Sequence, residues 1–271
     1  MRARNRTTRN RKIKLFFVGA AFLAVTTFAV GVYGQANPQS RTEIATPLDP
    51  LHPGVTAVQI FDQLLAHNAA RASTLRNYTA LRTYQVVDLN GKVHAEVVGR
   101  MEYLAPDQKK FVVNSEKGSV VVRRLALNAL IASEIETTAG TQHHDSAISP
   151  ANYTLDLLGE QQVGPYHCFV AQAVPKRREK YLFEGKVWID AEDYAVVRIE
   201  GHPAKKLSFW IQRADFVRQY QKVGDFWLPQ RDMTFVDVRL YGKKVLTIDH
   251  HNYSVNSPVA THSSGETTHM F

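Results

Sequence analysis

Residues 181–229 read YLFEGKVWIDAEDYAVVRIEGHPAKKLSFWIQRADFVRQYQKVGDFWLP. Aromatic and β-branched residues dominate this stretch, and short clusters of Asp, Gly and Pro interrupt it, which is typical of strands joined by tight turns. Apolar and polar residues alternate within it, whereas no period of 3.6 residues fits. The stretch therefore predicts four consecutive antiparallel strands, at residues 181–189, 194–200, 207–220 and 226–229.

The chain on either side continues the strand pattern. Asn90-Gly91 separates two alternating runs, and this dipeptide is a strong hairpin signal because both turn positions favour positive φ. Pro229 suits the beginning of a strand or an edge strand. The other predicted strands are residues 77–89, 92–104, 109–115, 152–160, 166–174, 231–240 and 245–255.

Two segments have helical periodicity instead. Residues 55–71 carry an apolar stripe of Val58, Phe61, Leu64, Leu65 and Ala69. Residues 120–137 begin with three valines, which favour a strand, and continue with the stripe Leu127, Leu130, Ile131 and Ile135, so we predict a strand leading into a helix. Two short helices are too few for an α/β layer. The pattern predicts a mainly β fold: a single highly curved antiparallel sheet, an open, unclosed barrel of about 11 strands, with the two helices as a lid.

The distribution of charge argues against a nucleic-acid-binding protein. The formal net charge is +8, but seven of the 33 Lys and Arg residues precede residue 15, where no acid occurs. The rest of the chain holds 26 Lys and Arg residues against 25 Asp and Glu residues. Neutralisation of phosphates needs a basic surplus that this region lacks, so we expect no nucleic-acid partner.

The N-terminus indicates export. Residues 15–34 contain no charged side chain and follow the basic run, which is the pattern of a signal peptide or an uncleaved signal anchor. We divide the chain into a signal peptide or anchor (1–36), a proline-rich linker (37–54), a strand-rich domain (55–256) and a disordered tail (257–271). The expected location is the periplasm of a Gram-negative-type bacterium, either soluble after cleavage or anchored to the inner membrane.

No motif in the sequence predicts catalysis, a metal or a cofactor. The chain lacks the G-x-S-x-G, H-E-x-x-H, C-x-x-C and phosphate-loop patterns. Residues 143–145 (His-His-Asp) give at most a weak surface metal site, and His250 and His251 should point to opposite faces of a strand. Cys168, the single cysteine, lies in an apolar strand and is expected to be buried and inert. We therefore expect a protein that is not an enzyme. Separately, we expect a monomer.

The apolar residues of the strands and helices suggest a ligand of the acyl-chain class. Aromatic side chains spread over several strands exceed what two helices can cover, which favours a hydrophobic cavity, although a filled core is the alternative. The basic turn at residues 176–180 is either a solvated loop or a contact for lipid headgroups. The candidate acyl-chain contacts are Leu64, Leu65, Met101, Tyr103, Phe111, Leu127, Ile131, Ile189, Trp210 and Trp227.

Several short motifs resemble one family. They are YLAP at 103–106 with KKF at 109–111, GKVWID at 185–190, VRIEG at 197–201 and FWLP at 226–229. Together with the order of the elements, they make residues 55–256 similar to the LolA/LolB-like superfamily, of the outer membrane lipoprotein-sorting type, which is related to the N-terminal domain of RseB/MucB regulators. The motifs belong to the scaffold, so no individual functional residue is transferred.

The resemblance implies an unclosed barrel with a helical lid that binds the acyl chains of lipoproteins or other lipids. Membrane partner proteins, and the inner membrane itself if residues 15–34 are retained, are further implied partners. The other hypothesis is a membrane-anchored sensory module that binds a partner protein or a lipid signal. Because ligand and lid would cover the same apolar surface, we expect them to compete for it.

Overall fold

The computed structural model describes residues 47–138, 147–179, 181–207, 209 and 211–258. Its helices are α1 (Ala57–Thr74), α2 (Val120–Val122) and α3 (Asn128–Thr138), and a π-helical turn (Arg123–Leu127) joins α2 to α3. We call these last three elements together the helical segment 120–138. The strands are β1 (Asn77–Asp88), β2 (Val93–Leu104), β3 (Gln108–Gly118), β4 (Tyr153–Val163), β5 (Tyr166–Pro175), β6 (Phe183–Asp190), β7 (Val196–Pro203), β8 (Ile211–Val223), β9 (Phe226–Val238) and β10 (Gly242–Val255).

The ten strands form one antiparallel sheet, which confirms the predicted fold class. Their order is β3-β2-β1-β10-β9-β8-β7-β6-β5-β4. Within the described residues, β3 and β4 lie at opposite ends of this order and do not pair with each other, so the sheet stays open. The predicted signal or anchor segment, residues 15–34, lies outside the described residues. None of the helices in the described part of the chain is long and apolar enough to cross a membrane.

The hairpin between β1 and β2 forms where the sequence predicts it. Gly91 has a φ of 80°, and the Asp88 carboxylate accepts hydrogen bonds from the backbone N–H groups of Asn90 (2.9 Å) and Lys92 (3.0 Å). A side chain that bonds the backbone of its own turn stabilises the turn locally. The register of β1 and β2 therefore follows from residues within the hairpin.

One predicted strand boundary is wrong. Residues 226–229 and 231–240 were expected as separate strands, but Phe226–Val238 is continuous. Pro229 faces Tyr220 beside a register shift in β8, and pairing with β10 begins only at Arg231. Proline is tolerated in a strand at such an irregularity because its missing N–H removes no ladder bond there.

The prediction of a strand at residues 120–122 is also wrong. Gly118 ends β3 with a φ of 76°, and the Ser119 side chain then caps the helix by accepting a hydrogen bond from the N–H of Val122 (3.4 Å). The strand propensity of three valines is small compared with a turn and a cap that start a helix at this point.

Helix α1 starts with a capping box between Thr56 and Gln59 and buries Ile60, Phe61 and Leu64. The two side chains satisfy backbone groups that would otherwise lack a partner in the first turn. Val58 and Leu65, which the predicted stripe included, are 69% and 37% exposed. The apolar face of α1 is therefore narrower than the sequence pattern indicates.

The buried apolar residues form two clusters. The first cluster lies against α1 and draws on β1, β2 and the strands from β4 to β9. The second cluster lies against the helical segment 120–138 and consists of Tyr84, Val86, Ala95, Val97, Leu127, Leu130, Ile131 and Leu246. Phe111 on β3 packs against both clusters. Each helical element thus covers its own part of the sheet.

Candidate functional site

A charged residue interrupts an apolar row on β1. Ala80, Arg82, Tyr84 and Val86 occupy alternate positions and are all buried, so they share one face of the strand. Arg82 is only 2% exposed. A buried guanidinium needs hydrogen-bond acceptors close to it, because an uncompensated charge in an apolar interior is very costly.

The acceptor is Glu134 on α3. Arg82 Nη1 donates to both carboxylate oxygens of Glu134, at 2.6 and 2.7 Å, and Lys109 Nζ donates to Oε1 at 3.1 Å. The Tyr84 hydroxyl donates to Oε2 at 3.3 Å. We call Arg82, Lys109 and Glu134 the ion cluster. It joins the helical segment 120–138 to β1 and β3 at the border of the second apolar cluster.

The local electrostatics keep this carboxylate ionised. Burial opposes ionisation of Glu134, but the positive charges of Arg82 and Lys109 outweigh burial and hold its pKa well below the usual range. Burial, followed by the nearby charge of Glu134, raises the pKa of Tyr84. Burial, followed by the positive charge of Arg82, lowers the pKa of His250 despite its contact with Asp232. Two positively charged side chains, Arg82 and Lys109, thus surround the ionised carboxylate of Glu134.

The start of the helical segment 120–138 is attached differently. Arg123 Nη1 donates to the carbonyl oxygen of Gly118 at 2.8 Å, and Nη2 lies 3.4 Å from Glu116 Oε2. The π-helical turn begins at the same arginine, and π turns inside helices are frequent at functional sites. The segment is therefore held at its start by Arg123 and near its end by the ion cluster.

The structure distributes the predicted acyl-chain contacts over two places. Leu64, Met101, Ile189 and Trp227 are buried in the first cluster, and Tyr103 lies at its margin, stacked on Tyr78 at 5.1 Å between ring centroids. Leu127 and Ile131 are buried in the second cluster, and Phe111 lies between the two. Leu65 belongs to neither cluster, and Trp210 lies outside the described residues.

The ion cluster was not predicted from the sequence. A charged residue at an inward position of an alternating apolar strand is a signal that could have identified Arg82. Its partner Glu134 is 52 positions away in the chain, and no local pattern connects them. Helical spacing alone places Glu134 one turn beyond Leu130, which is compatible with many other roles.

The ends of several strands bring exposed apolar side chains together. The registers place Asp88 opposite Lys244, Ala95 opposite Gly118 and Ile211 opposite Val238, so these turns all lie at one end of the sheet. We call this end the turn rim. Its exposed apolar residues are Leu89, Val93, Val120, Val121, Phe209, Leu240 and Tyr241.

The turn rim is also rich in basic residues. The guanidinium of Arg239 lies 4.3 Å from the ring centroid of Phe209. Two surface depressions of about 300 and 500 Å³ flank Phe209 and Ile211, and neither is lined by a residue of the two apolar clusters. The exposed bases of the rim are Lys92, Lys205, Lys206, Arg213, Arg239 and Lys243.

The other chemical candidates from the sequence do not combine into a site in the described residues. Cys168 is buried, and burial, followed by the charge of Asp190, raises its pKa to about 12. His250 is buried while His251 is exposed, as expected for neighbours on a strand. The His-His-Asp run at residues 143–145 lies outside the described residues.

Comparisons with known proteins find similarity to solved structures only. No family model matches the chain, and no curated protein matches it significantly. A domain described as outer membrane lipoprotein-sorting, from Vibrio parahaemolyticus, has 11% identity and a TM-score of 0.46, with 76% of this chain and 96% of that chain covered. A DUF1329 family protein from Desulfovibrio piger has 14% identity and a TM-score of 0.39, covering 78% and 95%.

A LolA superfamily protein from Nitrosomonas europaea has 9% identity and a TM-score of 0.34, covering 76% of this chain and 96% of that chain. At these identities the similarity concerns the fold.

Proposed function

We propose that this protein is a non-enzymatic lipid carrier of the periplasm, which binds acyl chains of lipoproteins or other lipids. The chains would lie on the face of β1, β2 and β10 that the helical segment 120–138 covers. The proposal rests on how the helical segment 120–138 covers this face of the sheet. A short segment, interrupted by a π-helical turn, contributes three buried aliphatic residues to the second cluster. Its other attachments are Arg123 at its start and the ion cluster near its end.

The free energy that the apolar side chains of this segment contribute by burial is small enough for a bound acyl chain to replace it. Leu127, Leu130 and Ile131 each contribute about 1.5–3 kcal/mol through burial. An acyl chain gains about 0.8 kcal/mol for each methylene group that it buries, so about six to eleven methylene groups offset the loss of these side chains. Ligand and segment can therefore exchange on the same surface at small net cost.

The polar part of the cover can be replaced as well. When Glu134 moves away, Arg82 and Lys109 need other oxygen acceptors, which the ester, amide or phosphate groups of a lipid provide. Within the described residues, the buried Arg82 Nε has no hydrogen-bond partner even with Glu134 in place. A ligand with apolar chains and an oxygen-rich linkage suits both halves of the site.

The turn rim suits transfer to or from a lipid surface. Val120 and Val121 place the start of the helical segment 120–138 directly on the rim. Apolar side chains at turn tips enter the interface of a bilayer, and the surrounding lysines and arginines attract anionic headgroups. Docking there would bring the cover and the membrane together.

The proposal is tested by loosening the cover without disturbing the sheet. In Ile131→Lys, a charge replaces a buried side chain of the second cluster, and we expect increased binding of an apolar fluorescent probe such as N-phenyl-1-naphthylamine. Leu125→Lys is the matched control, because Leu125 belongs to the same segment but is 38% exposed. Circular dichroism verifies that the sheet is retained in both variants.

Native mass spectrometry of the wild-type protein from cells provides the second measurement. We expect adducts with the masses of diacyl lipids or acylated peptides. Unchanged probe binding by folded Ile131→Lys, together with protein free of such adducts, would overturn the proposal.

A further inference from the structure

Three side chains converge at the end of the sheet opposite the turn rim. His52 Nδ1 lies 2.8 and 2.7 Å from the two carboxylate oxygens of Glu160, and His167 Nε2 lies 2.7 Å from Oε2. The backbone N–H of His52 also donates to Oε1 at 2.9 Å. The three donor atoms, one from each side chain, all lie within 4.8 Å of one another.

The backbone positions these residues. Asp49 forms an antiparallel bridge with Glu160, with N···O distances of 2.8 and 2.9 Å, which places the segment before α1 across β4. Gly159 permits this crossing, since a Cβ at that position would lie 2.5 Å from the carbonyl oxygen of Asp49. His167 comes from the start of β5. The cluster therefore connects three separate parts of the chain.

The exposure of the three side chains differs in a way that suits a bound cation. Glu160 is 1% exposed, whereas His52 is 74% and His167 is 45% exposed. The Glu160 oxygens lie at hydrogen-bonding distance from the backbone N–H and ring of His52 and from the ring of His167. A buried carboxylate thus lies beneath two imidazoles that are accessible to solvent.

We propose that His52, Glu160 and His167 form a binding site for a divalent transition-metal ion of the zinc class. Two histidines and one glutamate are a donor set that zinc accepts, with bonds of about 2.0–2.2 Å and a further position open to water. Ligand atoms around such an ion lie about 3.3 Å apart, so the present contacts would open by about 0.6 Å. Both imidazoles are exposed and can move by this amount.

A metal ion at this site would link the segment before α1 to β4 and β5. That segment leads back to residues 15–34, the hydrophobic stretch that the sequence assigns to export or anchoring. The ion would therefore stabilise the attachment of this segment to the sheet. The inference is independent of the proposed lipid binding.

The test uses the full chain without an affinity tag, freed of metal by EDTA and dialysis. Isothermal titration with zinc sulfate is expected to show one equivalent bound through these ligands, and Co²⁺ is expected to give visible absorption bands of a nitrogen- and oxygen-ligated ion. His52→Ala and His167→Ala should each weaken zinc binding by about tenfold or more. His202→Ala, at an exposed histidine of the opposite end, should leave it unchanged.

A second readout separates binding from folding. Zinc should raise the Tm of the wild-type protein and of His202→Ala, but not that of His52→Ala, whose side chain is too exposed for its loss to unfold the domain. Zinc binding that persists in both His52→Ala and His167→Ala would overturn the proposal. So would the absence of binding by folded wild-type protein.

Discussion

Glu134 is a carboxylate that is only 14% exposed and lies between two cations, and its energetic role depends on that arrangement. In Glu134→Gln the amide has the same size but no charge, so Arg82 and Lys109 remain buried without a counter-charge. We expect the free energy of unfolding to fall by about 3 kcal/mol, and amides of α3 to exchange their hydrogens faster. Urea unfolding and hydrogen exchange measure the two effects.

Glu102 supplies the control for that substitution. It pairs with Arg100 on the surface, where both side chains are more than 30% exposed. Exposed pairs contribute little, so Glu102→Gln should change stability by less than about 0.5 kcal/mol. Equal effects of the two substitutions would contradict a specific role for the ion cluster.

The same carboxylate predicts how stability depends on pH. The pKa of Glu134 is lower in the folded protein than in the unfolded chain, where it is about 4.3. The unfolded state therefore binds the proton first, and the stabilisation is complete above pH ~5 and is lost as the pH falls towards the folded-state pKa. The difference in unfolding free energy between wild type and Glu134→Gln should shrink steadily below pH ~4.5, as urea titrations at several pH values would show. A constant difference down to pH 3 would contradict this assignment.

Cys168 is a buried thiol whose reactivity is expected to be low. With a pKa raised to about 12, the thiol is ionised in only about one molecule in 10,000 at pH 8. We expect a chromogenic disulfide reagent to react with it only as fast as the protein opens, and to completion in denaturant. Rapid stoichiometric reaction of the native protein would show that the strand around Cys168 is accessible.

At the scale of the element, Gly118 controls where β3 ends and where the helical segment 120–138 begins. Its φ is 76°, and a Cβ there would lie 2.4 Å from the carbonyl oxygen of His94. Gly118→Ala should therefore add a backbone collision to conformational strain and lower the free energy of unfolding by about 2–3 kcal/mol. Gly224→Ala is the control, because its φ is 54° and its Cβ meets open space, so the expected loss is about 1 kcal/mol. Urea unfolding curves compare the two.

The elements also show what the sequence can predict. The β1–β2 hairpin was predictable because Asp88, Asn90 and Gly91 specify its turn locally. The helix stripe with Leu127 and Ile131 was predictable for the same reason. The wrong strand predictions occurred where an adjacent residue or strand determines the local structure. Val120–Val122 form a helix because Ser119 caps it, and Pro229 lies within a continuous strand beside a register shift in β8.

The candidate sites depend on long-range contacts even more. Arg82 meets Glu134 across 52 positions, and His52 meets Glu160 across 108 positions. No periodicity links such pairs, because only the sheet order brings their strands and segments together. The sequence favoured a hydrophobic cavity, with a filled core as the alternative, and the structure shows two packed clusters of buried apolar residues. The sequence could not show which polar groups border them.

At the scale of the whole molecule, the turn rim is a surface that combines exposed apolar side chains with exposed lysines and arginines. We expect the protein to bind vesicles that contain about 30% anionic lipid and to lose that binding as salt rises, because exposed charges are screened within about 10 Å at 0.1 M salt. The double variant Lys205→Gln/Lys206→Gln should lose about 2 kcal/mol of attraction to the vesicle surface, which lowers the affinity for vesicles about 30-fold. Lys110→Gln, on β3 at the other end of the sheet, should have little effect. Vesicle sedimentation measures this, and equal losses in the two variants would contradict docking through the rim.

The position of β10 has a consequence for the order in which the chain is made. Among the described strands, β1 is synthesised first and its partner β10 is synthesised last. Asp88 on β1 can therefore pair with Lys244 on β10 only after the strands between them have been made. At about 5–20 residues per second, synthesis of the intervening strands takes roughly 8–30 s. For that time the first hairpins have an unpaired edge and an uncovered apolar face, the features by which nascent chains aggregate. A ribosome that stalls before residue 242 therefore leaves a product in which β1 lacks its partner β10, so this edge and this apolar face stay exposed.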